Sequence, residues 1–469
     1  MLHLRAGAIH GRIILVSAQL IRREMPSLLH LAVPIVLGEV GWMAMNFVDI
    51  AMIGHAGATS LAAVSLGSAI FMVFAIVCEG LLLGSDSLIS QEHGAGNVEE
   101  CFRTLWAGAQ LALPAGLLAA VLVALSPGIL NVIGVPSEVA LKARYYLYAM
   151  AAGLPALMGF VAIRVFLQGM HRVRIVAFAM ISANLVNFCG NWVLIYGHFG
   201  MPALGSTGSG LATSISRFYL MLVLLAYLVW RGRRQHWPLL LHAGELHWQR
   251  IRQIVKLGVP AATQIALEVG AFSASTLLAG RLGAVVVSAH QIALLMASLT
   301  FMVPLGIGQA TSVRVGHAIG QRNGLAAAVS AWSGVTLSAC FMSMMAIVLW
   351  TLPLPIVHIF TNDPGVAALA VRLLAIAAFF QFFDGVQVTS ICALRGSGNT
   401  RIAMVTDAIG WWIVGLPLGA YLCFGMNWGV RGLWLGLCVG LISIACVLSF
   451  ALRRRMIRLQ HELPAAPLT

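Results

Sequence analysis

The chain has 469 residues, of which 60% are apolar and only 9% charged, and its mean hydropathy is +0.92. Those values exclude a set of soluble domains and place most of the chain in lipid. A formal net charge of +13 would suit nucleic acid if the bases formed one patch, but they are spread between apolar runs, so no nucleic-acid partner is expected.

Crossing the hydrocarbon core takes roughly 20 apolar residues, and the backbone there must satisfy its own amides, which makes each such run a helix. In chain order the runs predict twelve spans, near 28–53, 61–90, 101–125, 139–165, 170–197, 208–231, 252–280, 285–318, 324–350, 365–394, 400–424 and 430–452. Pro34, Pro114, Pro155, Pro260, Pro304 and Pro417 fall inside them as candidate kinks. Ahead of the first span, residues 13–21 are apolar but are followed by Arg22 and Arg23 without a small-residue cleavage site. An interfacial or disordered extension is expected there, not a signal peptide.

Of the 28 Lys and Arg residues, 22 flank the spans on one side and five, Lys142, Arg144, Arg281, Arg372 and Arg431, lie on the other; Arg217 falls within a span. Positive charge stays on the cytoplasmic side, so both termini are expected in the cytoplasm of a bacterial inner-membrane protein. The eight cysteines lack CxxC spacing and read as packing residues.

Shifting the sequence by 226 positions aligns Val33-Pro34 with Val259-Pro260, Gly54 with Gly280, Gly57 with Gly283, Gly94 with Gly320, Asn97 with Asn323 and Trp106 with Trp332. A shift of 227 then aligns Gly169 and Arg174 with Gly396 and Arg401. The chain is therefore a repeat of six spans, expected to be related by an axis along the membrane normal. The expected organisation is an extension at 1–27, a six-helix bundle at 28–231, a polar cytoplasmic linker at 232–251, a second bundle at 252–452 and a tail at 453–469.

Only 15 residues are acidic, yet the predicted spans enclose Glu39, Asp49, Glu79, Asp86, Glu268, Asp384 and Asp407. A carboxylate at the bilayer centre costs roughly 2.5–3.5 kcal/mol on insertion scales, so seven of them imply a shielded cavity, an ion path or structural ion pairs. Arg217 is the deepest base; Arg164 and Arg314 fall nearer the cytoplasmic ends. Asp49, Glu268 and Asp384 are the leading candidates for coupling to a cation, with Glu39 and Glu79 as further candidate acids and Asp86 as a helix-end hydrogen-bonding group. Asn187 and Asn191 stand one turn apart on the fifth span, where two amides could orient Asp49 or bind another helix. Carboxylates with oxygen neighbours hold Na⁺, and a buried carboxylate near neutrality exchanges H⁺; the sequence leaves both open. Trp42, Met43, Met45, Phe379, Phe380, Phe382 and Phe383 offer surfaces for flat, greasy cations or for helix packing.

The string PIVLGEVGWMAMNFVDIAMIGHAG in the first span resembles the opening of the multidrug and toxic compound extrusion (MATE) transporters, in particular their NorM-like bacterial branch. ISQEHGAGN, LVNFCGNWVLIYG, GSTGSGLAT, ALEVGAFSAS, SVRVGHAIGQRN and FDGVQVTSICALRGSGNTR extend the resemblance along nearly the whole chain. It implies an all-α polytopic fold, a V-shaped pair of six-helix bundles, acting as a monomer on organic cations, with no cofactor and with Na⁺ or H⁺ as the coupling ion. By matching positions, Asp49 is similar to the family's first-span acid, with Asn187 and Asn191 beside it. Glu268 and Asp384 match the acids of the carboxyl-terminal cation site, where Na⁺ would bind, and Asp407 is similar to a further acid of that cavity. Glu39 and Glu79 depart from the pattern, which leaves open which half binds the ion.

The rival readings are a related flippase of lipid-linked precursors and an intramembrane enzyme. The second lacks an HExxH or a Gly-x-Gly-Asp motif, so no enzymatic activity is expected. A major-facilitator transporter would need a Gly/Asp/Arg-rich loop where this chain reads QEHGAGNVEECFR.

Overall fold

A computed structural model describes residues 3–132, 134–238 and 243–463, with side chains described from residue 19 onward except at Asn131. Parts of the expected extension, linker and tail, at 1–2, 239–242 and 464–469, lie outside the described residues. No strand occurs among the described residues.

The helices are α1 (His3–Gly54), α2 (Ala58–Leu82), α3 (Gly84–Gly94), α4 (Val98–Leu125), α5 (Gly128–Val132), α6 (Ser137–Ala152), α7 (Leu154–Gly169), α8 (Val173–Tyr196) and α9 (Ser206–Gln235). The second half contributes α10 (Trp248–Gly280), α11 (Ala284–Gly320), α12 (Gly324–Thr351), α13 (Pro353–His358), α14 (Pro364–Gly396), α15 (Arg401–Asp407), α16 (Leu416–Ala420) and α17 (Val430–Glu462). Among the described residues eleven helices are long and apolar enough to cross a bilayer, and the bent pair α6 and α7, taken as one span, makes twelve. The predicted all-helical, twelve-span class is the observed one.

Most of the prolines ride inside continuous helices: Pro34 in α1, Pro114 in α4, Pro260 in α10 and Pro304 in α11. The break comes at Gly153, where Pro155 occupies the first turn of α7 and the axis turns by 41°. A first-turn proline loses no helical hydrogen bond, so this is where the residue costs least. The eleventh span differs from a plain helix: α15 passes into π-helical turns at Ala408–Gly415, α16 carries Pro417 in its first turn, and a second π-helical stretch covers Tyr421–Gly425.

The chain packs as two compact units, one of residues 1–36, 94–96 and 267–469, the other of 37–93 and 97–266. The core of the first is built from α11, α12, α14 and α17 and is rich in alanine, including Ala293, Ala327, Ala331, Ala370 and Ala377. Hydrocarbon is as apolar as leucine, so helices in it associate through close packing and polar contacts, which small residues permit. A Cβ on Gly436 of α17 would overlap the backbone of Gly419. The core of the second unit gathers Phe102, Leu105, Phe160, Phe166, Leu220 and Leu224 from α4, α7 and α9.

The repeat is visible in the backbone. Gly57 enters α2 at φ 110° and Gly283 enters α11 at φ 105°, a conformation open only to glycine. Gly54 and Gly280 end α1 and α10, and Asn97 and Asn323 precede α4 and α12.

Candidate cation-binding sites

In the unit of residues 37–93 and 97–266, Asp49 of α1 meets α8 and α9. Asn191 Nδ2 donates to Asp49 Oδ1 at 2.5 Å and to Asn187 Oδ1 at 3.0 Å, and Thr213 Oγ1 donates to Asp49 Oδ2 at 3.0 Å. Asp49 is 8% exposed, and both asparagines are fully buried. The one-turn spacing of Asn187 and Asn191 is what lets one amide bridge the carboxylate and the other.

One turn beyond Thr213 on α9, Arg217 is buried and lies over the Phe71 ring at 4.3 Å. Its charge acts on Asp49 without a direct ion pair, and it donates to the Met150 carbonyl at 3.4 Å. Tyr146, buried beside it on α6, shares a 2.8 Å hydrogen bond with Ser68 of α2. A buried carboxylate with a cation at one remove and two neutral donors upon it is held in place without a direct ion pair. Thr213, Tyr146 and Ser68 were missed by sequence reasoning; the i, i+4 step from Thr213 to Arg217, within the stretch beginning GSTGSGLAT, was the available signal.

Glu39 and Glu79 are placed elsewhere in the same unit. Arg164 of α7 reaches Glu79 of α2 at 2.6 Å and Glu39 of α1 at 3.5 Å, and is itself 7% exposed. Arg164 thus joins both acids in a buried ionic triad. Asp86 is buried in the first turn of α3, where its carbonyl accepts from Ser90.

In the other unit, Glu268 of α10 and Asp384 of α14 come together. Asp384 is 7% exposed, and the one charged side chain acting on it among the described residues is Glu268, of like sign. Gln387, one turn along α14, points Nε2 at Glu268 Oε1 at a long 3.5 Å. Gln381, one turn before Asp384, donates to Thr300 Oγ1 at 2.7 Å. The carbonyl oxygens of both glutamines are buried and accept no hydrogen bond among the described residues. Two like-charged carboxylates, with two buried and unmatched amide oxygens about one turn to either side of Asp384 on α14, offer the oxygen ligands that a hard cation takes. Asp407 is fully buried at the end of α15, against the first π-helical turn. Phe379 and Phe382 of α14 are exposed, Phe380 is buried and stacks on Trp434, and Phe383 packs between Phe379 and Phe382.

Fold and sites together define a polytopic α-helical membrane protein with buried carboxylates in each half of a six-span repeat. The MatE family model matches residues 34–193 and 260–421, and the chain belongs to that family. It is 37% identical over 435 residues to the probable multidrug resistance protein NorM of Xanthomonas campestris pv. campestris, covering 92% of this chain and 94% of the relative. The multidrug resistance protein PmpM of Pseudomonas aeruginosa is 36% identical over 458 residues, covering 94% of each. Among solved structures, a MATE protein in a bent conformation superposes with a TM-score of 0.86 at 19% identity over 96% of this chain and 99% of that one. The eukaryotic MATE transporter AtDTX14 does so with a TM-score of 0.85 at 20% identity, over 95% and 100% respectively.

Proposed function

We propose that the protein is a secondary active multidrug exporter of the bacterial cytoplasmic membrane, with both termini cytoplasmic, driving cationic lipophilic compounds out in exchange for Na⁺ or H⁺. The names of its relatives support the substrate class, and the 22-to-5 distribution of basic residues across the spans supports the orientation. The two six-span halves, 28–231 and 252–452, are the functional bundles in this reading.

The observation that carries the coupling is the Glu268–Asp384 pair, two like charges acting on each other inside one unit with no base acting on Asp384 among the described residues. Such a pair is stabilised by any cation that joins it, and both Na⁺ and H⁺ do so at the same oxygens. Na⁺ would be held by Glu268 and Asp384 with the carbonyls of Gln387 and Gln381. Asp49 provides a second buried anion, and the exposed phenylalanines of α14 present faces to an organic cation. Cation binding drives export by favouring the conformation that binds the drug less tightly. A membrane potential adds about 2.3 kcal/mol per 100 mV for each charge moved.

Efflux of a fluorescent organic cation from inverted vesicles, with Na⁺ and H⁺ gradients imposed separately, tests the proposal. At least one gradient drives efflux in the parent, and Asp384→Asn abolishes that response. Gradient-independent efflux, or an Asp384→Asn variant equal to the parent, overturns it.

A further inference from the structure

Among the described residues one stripe of α9 alone lines a shallow, open groove of about 500 Å³, formed by Leu222, Leu225, Ala226, Val229, Trp230, Arg233 and Arg234. These positions are i, i+3, i+4, i+7, i+8, i+11 and i+12, a single stripe along the helix. The small Ala226 leaves the notch that the larger neighbours wall. Leu222 is 54% and Trp230 47% exposed although α9 is long and apolar enough to span the bilayer, so the groove opens to lipid.

The stripe changes character at its end. Arg233 and Arg234 occupy the last turn of α9 and are exposed. Among the described residues neither has an acidic partner, and Arg234 lies over the Trp230 ring at 4.6 Å. An arginine at a helix carboxyl end is favourable for the helix dipole alone. The excess of basic residues at cytoplasmic helix ends and the preference of tryptophan for the boundary account for each residue singly; their meeting at the end of one apolar groove adds a place for an acyl chain beside the charge. Twelve residues of helix measure about 18 Å, close to one leaflet of a hydrocarbon core roughly 30 Å thick. Tryptophan settles at the boundary between hydrocarbon and headgroups.

We propose that this face of α9 is a binding site for an acidic phospholipid of the bilayer, one acyl chain lying along Leu222, Leu225, Ala226 and Val229 and the phosphate held by Arg233 and Arg234. A free anion would use only the arginines and a zwitterionic lipid only part of their charge. An acidic lipid matches both parts. The site is independent of what the protein exports.

Native mass spectrometry of the full-length protein, with phosphatidylglycerol and phosphatidylcholine in competition, tests it. The parent retains phosphatidylglycerol over phosphatidylcholine by on the order of tenfold, and Arg233→Gln/Arg234→Gln removes the preference. Arg454→Gln, which alters another arginine stacked on an aromatic ring, Phe450, leaves it unchanged. In vesicles, brominated phosphatidylglycerol quenches an emission component that Trp230→Phe abolishes, and brominated phosphatidylcholine quenches it less. A preference that survives the double substitution, equal quenching by both lipids, or displacement of the lipid by millimolar inorganic phosphate alone overturns the site.

Discussion

Glu24 and Arg250 stand 226 residues apart, the interval that aligns the two halves of the chain, and carry opposite charges in corresponding clasps. Glu24 of α1 accepts from Arg314 Nε and Nη2, each at 2.7 Å, and from Ser330 Oγ at 2.7 Å. Arg250 of α10 donates to Glu92 at 2.9 Å and also to Glu100. The same helix position, just ahead of each repeat, is thus clasped by residues of the opposite repeat, with the sign of the charge inverted. Each clasp fixes a helix near the start of its membrane-length stretch, where the acid or base is only partly exposed.

Glu24→Gln should lower stability by roughly 1–3 kcal/mol, the range for hydrogen bonds to charged groups. The exchange Glu24→Arg with Arg314→Glu should recover most of that loss, because the pair is rebuilt with its ends swapped. Thermal unfolding of the single and double variants in detergent checks the coupling.

Arg164→Met should cost roughly 2–4 kcal/mol, below the upper end for broken buried pairs because Glu79 is partly open, while Glu39→Gln and Glu79→Gln cost less. None of the three should uncouple transport. Unfolding curves alongside gradient-driven efflux separate this structural triad from the Glu268–Asp384 pair; loss of cation dependence in Glu39→Gln would count against the division.

Gln387→Leu is expected to raise the cation concentration needed for half-maximal efflux by roughly tenfold, about one ligand's contribution at 1.4 kcal/mol per decade. Asp384→Asn is expected to remove the response. Titrating Na⁺ and H⁺ separately against efflux shows which ion feels the lost carbonyl oxygen, since a proton needs no fourth ligand.

Arg217→Met leaves Asp49 without its balancing charge and is expected to destabilise the protein. Adding Asp49→Asn to that variant should restore part of the loss, because the uncompensated anion is then gone. A double-mutant cycle by thermal unfolding gives the coupling; additive effects would mean that Arg217 acts through Phe71 packing alone.

The spans, the repeat and the grouping of Asp49 with Asn187 and Asn191 were legible because each leaves a local mark. Apolar length marks a span, recurrent glycine marks a repeat, and a one-turn interval puts two amides on one face. Arg164 was not legible as the partner of Glu39 and Glu79: residues 125 and 85 positions distant meet only through tertiary packing. Thr213 was hidden for a related reason, since a hydroxyl in a span hydrogen-bonds its own helix as readily as a distant carboxylate, and Thr213 does both. The π-helical turns around Pro417 had no sequence mark beyond the proline and the glycines that let α17 approach.

Gly57 and Gly283 hold the same positive-φ turn at matching places in the two halves. Position for position, Asp49 answers to Ser275, Glu268 to Trp42 and Asp384 to Leu157, so the halves share their bends but not their acids. After an ancestral duplication, a turn that no side chain tolerates had nowhere to drift, whereas each copy was at liberty to gain or lose a carboxylate. What the twin segments hold in common is punctuation.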